Sequence, residues 1–156
     1  MSSATAVFRR ATAADLPAIV GLLADDILGS SREDGTQPPS PAYQAAFAAI
    51  DRDPNQLLVV AEVDARVAGC LQLSFIPGLA HQGAWRGQIE AVRIASTLRG
   101  SGVGRAMFEW AIEQCRGRGC AMVQLTTDKR RDDARRFYES LGFTASHEGM
   151  KLRLAD

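Results

Sequence analysis

The sequence predicts an α/β fold, a mixed β-sheet with helices packed on its faces, and three observations predict it. Two β-rich runs, residues 57–63 and 67–76, flank a tight Asp64-Ala65-Arg66 turn, the pattern of an antiparallel hairpin. In the second half a strand pattern, a helix pattern and another strand pattern follow one another over residues 88–127, which is the form of a βαβ unit. Near the N-terminus, apolar residues recur at helical spacing.

The elements follow in order. Val7-Phe8-Arg9-Arg10 reads as a short first strand. Thr12 followed by Asp15 has the form of an N-cap with an acidic partner three residues on. Leu16, Ile19, Val20 and Leu23 then continue as a helix, with Pro17 early, where a helix tolerates it best. Residues 29–40 are polar and turn-rich, a loop. Ser40-Pro41 makes an N-cap and N1 pair that opens a second helix carrying Tyr43, Ala46, Phe47 and Ile50. Asp53-Pro54-Asn55 ends it. After the hairpin, residues 77–87 form a second loop containing His81, Trp85 and Arg86. Residues 88–95 are a strand. Residues 102–116 are a helix with Val103, Met107, Trp110 and Ala111 on one face. Residues 120–127 are a strand, and 131–141 a helix stopped by Gly142. A last strand is expected over 151–154. The order is β-α-α-β-β-β-α-β-α-β, with no repeat or linker, so residues 1–156 are read as a single domain.

Composition narrows the function classes. Lys plus Arg and Asp plus Glu both number 18, so the net charge is zero, against a general nucleic-acid binder. The three cysteines, Cys70, Cys115 and Cys120, are odd in number and not tightly spaced, against a disulfide framework or a zinc site. They read as buried small hydrophobes in a reducing, cytoplasmic setting. No apolar run reaches the length of about 20 residues needed to span a bilayer, so no membrane partner is expected.

The stretch richest in chemistry is Val92-Arg93-Ile94-Ala95-Ser96-Thr97-Leu98-Arg99-Gly100-Ser101-Gly102-Val103-Gly104-Arg105. A strand leads through a glycine-rich turn into a helix. The first amides of a helix lack internal partners and its dipole is positive there. Glycines allow an anion to approach the backbone, and Arg99 and Arg105 add charge. Such a turn can also be a plain glycine turn before an ordinary helix. It is neither a dinucleotide fingerprint nor a Walker loop.

The Arg-x-x-Gly-x-Gly pattern after a strand resembles the coenzyme A pyrophosphate loop of the GCN5-related N-acetyltransferase (GNAT) family. Ile89-Glu90-Ala91-Val92-Arg93-Ile94 resembles that family's fourth strand, and Phe137-Tyr138-Glu139-Ser140-Leu141-Gly142-Phe143 its later helix and turn. The likeness covers almost the whole chain in the same order. It implies a GNAT fold, with a mostly antiparallel sheet and helices on both faces. It also implies an acyltransferase that uses acetyl-CoA and no metal, acts on a small-molecule amine, and forms a homodimer.

The resemblance implies site residues too. The backbone of Val92 and Ile94, with Arg93, would lie along the pantetheine. Arg99, Gly100, Ser101, Gly102, Val103, Gly104 and Arg105 would hold the pyrophosphate. Many relatives carry Asn seven residues before the tyrosine. Here that position is Arg131, whose guanidinium can meet a phosphate or the pantetheine arm. Tyr138 would protonate the departing thiolate, and Glu90 would hold the ammonium and take its proton. By a period of two, Glu90 shares a strand face with Val92 and Ile94. The plainer readings are a solvated Glu90 at a strand end and a boundary aromatic at Tyr138.

His81 and His147 are isolated and read as exposed. In residues 129–136, Asp132 and Arg136 are placed to pair on a solvated helix face, with Arg131 and Arg135 able to frame the cofactor. Acetylation of a protein N-terminus or lysine, and a non-catalytic acyl-CoA-binding module, are the competing functions.

Overall fold

The structure, a computed structural model, describes residues 5–26 and 28–155. Five strands form one sheet: β1 (Ala6–Arg10), β2 (Gln56–Val63), β3 (Arg66–Ile76), β4 (Trp85–Ile94) and β5 (Cys120–Gln124). They lie in sequence order, antiparallel from β1 to β4, with β5 parallel to β4. The longer helices are α1 (Leu16–Ala24), α2 (Pro41–Arg52), α3 (Val103–Gly117) and α4 (Asp132–Ser140), and a short helical turn spans Ala80–Gly83. The expected β-sheet with helices on both faces is therefore what forms.

Side-chain alternation gives the sheet two apolar faces. On one, Val59, Leu71, Leu73 and Ile89 pack against Met107, Phe108 and Ala111 of α3. On the other, Leu58, Val60 and Cys70 meet Ile19 of α1, with Phe47 and Ile50 of α2 at the margin. Each apolar stripe seen in the sequence thus finds a sheet face to cover. The hairpin between β2 and β3 turns on Asp64 and Ala65, both at positive φ, which matches the right-handed twist of the strands it joins. Before α1, Thr12 N–H donates to Asp15 Oδ2 at 2.7 Å, completing the expected capping box. Asp15 also accepts from Arg9 of β1, and Arg9 reaches Glu62 of β2, which ties the first helix to the sheet edge.

Three expectations need correction. First, β4 starts at Trp85, inside what the sequence offers as a loop: Arg86 pairs with Ile76 and Gly87 with Phe75. Gly87 looks like a loop signal but is a packing device, since a Cβ there would lie 2.3 Å from Cys115 Sγ on α3. Second, residues 151–154 form no strand. Met150, Leu152 and Leu154 alternate as a strand should, yet all three are exposed. An apolar alternation becomes a strand only when an edge pairs with it, and β5 ends at Gln124, short of the expected residue 127. Third, Arg136 pairs with Asp133, not Asp132, while Arg135 turns outward to Glu139.

Candidate active site

β4 diverges from β5. Their pairing covers Trp85–Gln88 only, so toward Ile94 the strand keeps β3 on one side and, among the described residues, no strand on the other. This leaves backbone N–H and C=O groups along one edge without a strand partner, open to an extended ligand, although Val92 O already accepts from Arg93 Nη1 at 2.8 Å. The structure brings Val92, Arg93 and Ile94 together on this edge, directly before the glycine turn.

A β-bulge changes which way the side chains point. Cys70 opposes Arg93 and Gln72 opposes Glu90, so β4 carries two residues where β3 carries one. Ala91, at φ 55°, is the extra residue. Val92 and Ile94 pack with the α3 core, whereas Arg93 lies opposite Cys70 on the α1 face. Glu90, opposite Gln72, shares the face of Arg93. The expectation that Glu90 shares a face with Val92 and Ile94 is thus overturned. The period of two fails across a bulge, and the sequence Glu90-Ala91-Val92 gives no glycine to announce one.

Around Glu90, which is exposed, the α1 face of the sheet is polar. Gln72 Nε2 and the hydroxyl of buried Ser74 donate to Gln56 Oε1 at 2.9 and 3.1 Å. Gln124 Nε2 donates to Gln88 Oε1 at 3.0 Å. Gln88 opposes Ser74 and lies two residues before Glu90, so this row runs across β2, β3, β4 and β5 on one face. Sequence reasoning missed it. The signal was polar residues at a period of two inside otherwise apolar strands, which is informative because buried polar groups need a reason.

The glycine turn is built as an anion cradle requires. Gly100 and Gly102 sit at φ 80° and 92°, a conformation that side-chain-bearing residues resist. A Cβ at either would meet nothing within 4 Å, so the space over the turn is open. Ser101 Oγ donates to Leu98 O and lies 3.5 Å from Val103 N, while Ala106 N–H is the first to close a helical turn, onto Gly102 O. The earlier amides of α3 face the turn. A Cβ at Gly104 would come into ordinary contact with Ile94, at 3.6 Å. Arg105 is engaged elsewhere: it donates to Ser140 Oγ at 2.8 Å and covers the Phe137 ring, fastening α3 to α4. Arg99, Ser96 and Ser30 border a depression beside Asp25 and Asp26.

Tyr138 stands on α4 among Phe108, Phe137 and Phe143, with ring centroids 5.4 to 6.2 Å away. Burial pushes its phenol above the usual value, and the charges of Arg131 and Arg93 pull it back. Both guanidiniums therefore act on this phenol. Arg131, at the N-cap of α4, reaches Asp26 Oδ2 at 2.5 Å. Asp26 also has Arg93 at 3.6 Å and Arg32 at 4.0 Å. Burial of Asp26 opposes its ionisation, but the Arg131 hydrogen bond and the arginine charges outweigh burial and lower its pKa.

Burial raises the Cys70 thiol to about 12, and burial with contact from Cys120 raises Cys115 to about 11. Both stay protonated and inert at neutral pH. His81 and His147 are exposed. No helix among the described residues is long and apolar enough to cross a membrane.

Comparison with known proteins fits this geometry. The sequence pattern of the Acetyltransferase (GNAT) family matches residues 24–143. The aminoalkylphosphonate N-acetyltransferase of Salmonella typhimurium is 33% identical over 106 residues, 68% of either chain. The glucosamine 6-phosphate N-acetyltransferase of Trypanosoma brucei brucei is 34% identical over 89 residues, 57% of this chain and 58% of its own. A solved structure from Bacillus halodurans C-125, described as a transcriptional regulator, superposes with a TM-score of 0.94 at 48% identity, over 96% of this chain and all of the other. With its one-sided fourth strand, its glycine turn and this match over most of its length, the chain belongs to the acetyltransferase (GNAT) family.

Proposed function

We propose that this acetyltransferase moves the acetyl group of acetyl-CoA to a small-molecule amine, directly, while both are bound. The observation that carries this reading is the end of β4. There an open backbone edge leads into a glycine turn, and a carboxylate projects from the other face. Open space over Gly100 and Gly102 fits a pyrophosphate, with Arg99 beside it. The backbone of Val92 and Ile94 fits the amides of the pantetheine arm. Acetyl-CoA supplies an activated thioester.

The chain's own groups then handle two protons. Glu90 holds the incoming ammonium and accepts its proton, directly or through water. Tyr138 donates to the departing thiolate sulfur. Its raised pKa keeps the phenol protonated at neutral pH, and the charges of Arg93 and Arg131 favour the phenolate left behind. With Cys70 and Cys115 held as thiols, no acyl-cysteine step is needed. The two curated relatives are named for small-molecule amines, which supports that acceptor class over a protein.

A second reading is a non-catalytic acyl-CoA sensor, favoured by the description of the Bacillus halodurans neighbour. An amine-library screen with detection of released thiol separates the two. Turnover of any small amine supports the enzyme, while binding of acetyl-CoA without thiol release supports the sensor. Saturating acetyl-CoA should raise the melting temperature in either case. At 100 times the dissociation constant the stabilisation is about 2.7 kcal/mol. Absence of any shift, with no heat of binding, defeats both readings.

A further inference from the structure

We propose that Arg32, Arg93 and Arg131, gathered on Asp26, form a pocket that binds an acidic group of the acceptor, so that the substrate class is an amine bearing a phosphate, phosphonate or comparable oxyanion. This rests on the acetyltransferase reading and names its acceptor.

The first observation is charge. Three guanidiniums converge on a single carboxylate in a chain whose net charge is zero. One carboxylate cannot neutralise three cations, and gathering like charges costs energy unless a further anion joins them. The neighbouring depression adds Arg99 and Asp25, so cations remain in excess. The second observation is an orphaned donor. Arg93 Nε is buried and makes no hydrogen bond among the described residues. A buried N–H without a partner is costly, and an arriving oxyanion would satisfy it. Guanidiniums suit this task because their paired donors match oxyanion geometry.

The third observation is placement. Through the bulge, Arg93 and Glu90 project from the same face of β4. Their partners on β3, Cys70 and Gln72, are two residues apart, which sets the two positions about 7 Å apart along the strand. A compact acceptor can therefore put its amine at Glu90 and its acid at the arginines. The polar row of Gln72, Gln88 and Gln124 borders this face and suits a hydrogen-bonding body between the two ends. The same charges reach Tyr138, so an anion bound there also changes the proton donor.

The cofactor's own phosphates are the other source of the same chemistry, and the test separates the two. Matched acceptors are used: glucosamine 6-phosphate against glucosamine, and 2-aminoethylphosphonate against ethylamine. Wild type should prefer the acidic member of at least one pair by tenfold or more in kcat/KM. In Arg32→Gln and Arg93→Met that preference should fall at least tenfold, through KM for the acidic acceptor. Variants that raise the KM for acetyl-CoA and leave the preference unchanged would assign the cluster to the cofactor and overturn the proposal. If no amine turns over, the acetyltransferase reading has failed, and direct binding decides the pocket. Inorganic phosphate added to the wild-type protein should shift the Arg93 Nε–Hε resonance, and the shift should be lost in Arg131→Met. An unmoved resonance overturns the anion pocket.

Discussion

The two ends of β4 belong to one continuous strand and have different neighbours in space. At Trp85–Gln88 the strand is hydrogen-bonded on both sides, to β3 and to β5, and Gly87 lets α3 close on it through Cys115. From Glu90 to Ile94 it is bonded on one side only, bulged at Ala91 and followed by a turn with two glycines at positive φ. The first end has spent its backbone on the fold. The second has no strand partner on the β5 side among the described residues, and Val92 O is met by Arg93 Nη1. If the proposed function holds, stability and chemistry fall to different stretches of one strand, so mutations at the two ends should differ in kind.

The largest effect should come at Tyr138 of α4, which feels the charge of Arg93 from the open end. Tyr138→Phe keeps the ring among Phe108, Phe137 and Phe143 but removes the proton. General acid catalysis contributes about 100- to 10,000-fold, so kcat should drop by that order while the melting temperature and the KM for acetyl-CoA hold. Because the phenol's pKa lies above its usual value, wild-type kcat should show no Tyr138 limb below about pH 10. Glu90→Gln should have a smaller effect of another kind, with a raised acceptor KM and a displaced acidic limb. Full turnover in Tyr138→Phe would leave thiolate protonation to water. An unchanged pH profile in Glu90→Gln would move the base elsewhere.

The paired end should respond in stability. Gly87→Ala places a methyl group where Cys115 Sγ already stands, and overpacking of this kind costs about 1–3 kcal/mol. The melting temperature should fall by several degrees, with residual activity per folded molecule close to normal. A wild-type melt would show that α3 can shift outward freely. Farther from the site, Arg9 holds the Asp15 carboxyl down at about 2. The pKa is depressed in the fold, so its stabilisation is complete above the unfolded value near 4 and is lost as pH falls through about 2. Asp15→Asn should remove about 2 kcal/mol at neutral pH and flatten the stability profile between pH 4 and 2. A steep profile persisting in that variant would place the acid-sensitive contact elsewhere.

Much of this arrangement could be read in the sequence because it is local. The capping pair Thr12 and Asp15, the β2–β3 turn and the strand–glycine–helix passage are each set by a few adjacent residues. What stayed hidden depends on partners far along the chain. Gly87 was ambiguous until Cys115 lay against it. The bulge at Ala91 is visible only in the register against β3. The alternation Met150, Leu152, Leu154 looked like a strand because a strand's period is local while its hydrogen bonds are not. Arg131 is met by Asp26, 105 positions earlier, which no spacing rule could reveal.

The extra residue at Ala91 has a kinetic corollary. On the proposed function it turns the strand into a partition, with the donor along its free edge and the acceptor against one face. Two reactants that do not share a surface need not wait for each other. Free coenzyme A should then compete with acetyl-CoA but not with the amine, and neither substrate should have to bind first. One bulged alanine would then leave the order of binding free while it fixes the direction of a side chain.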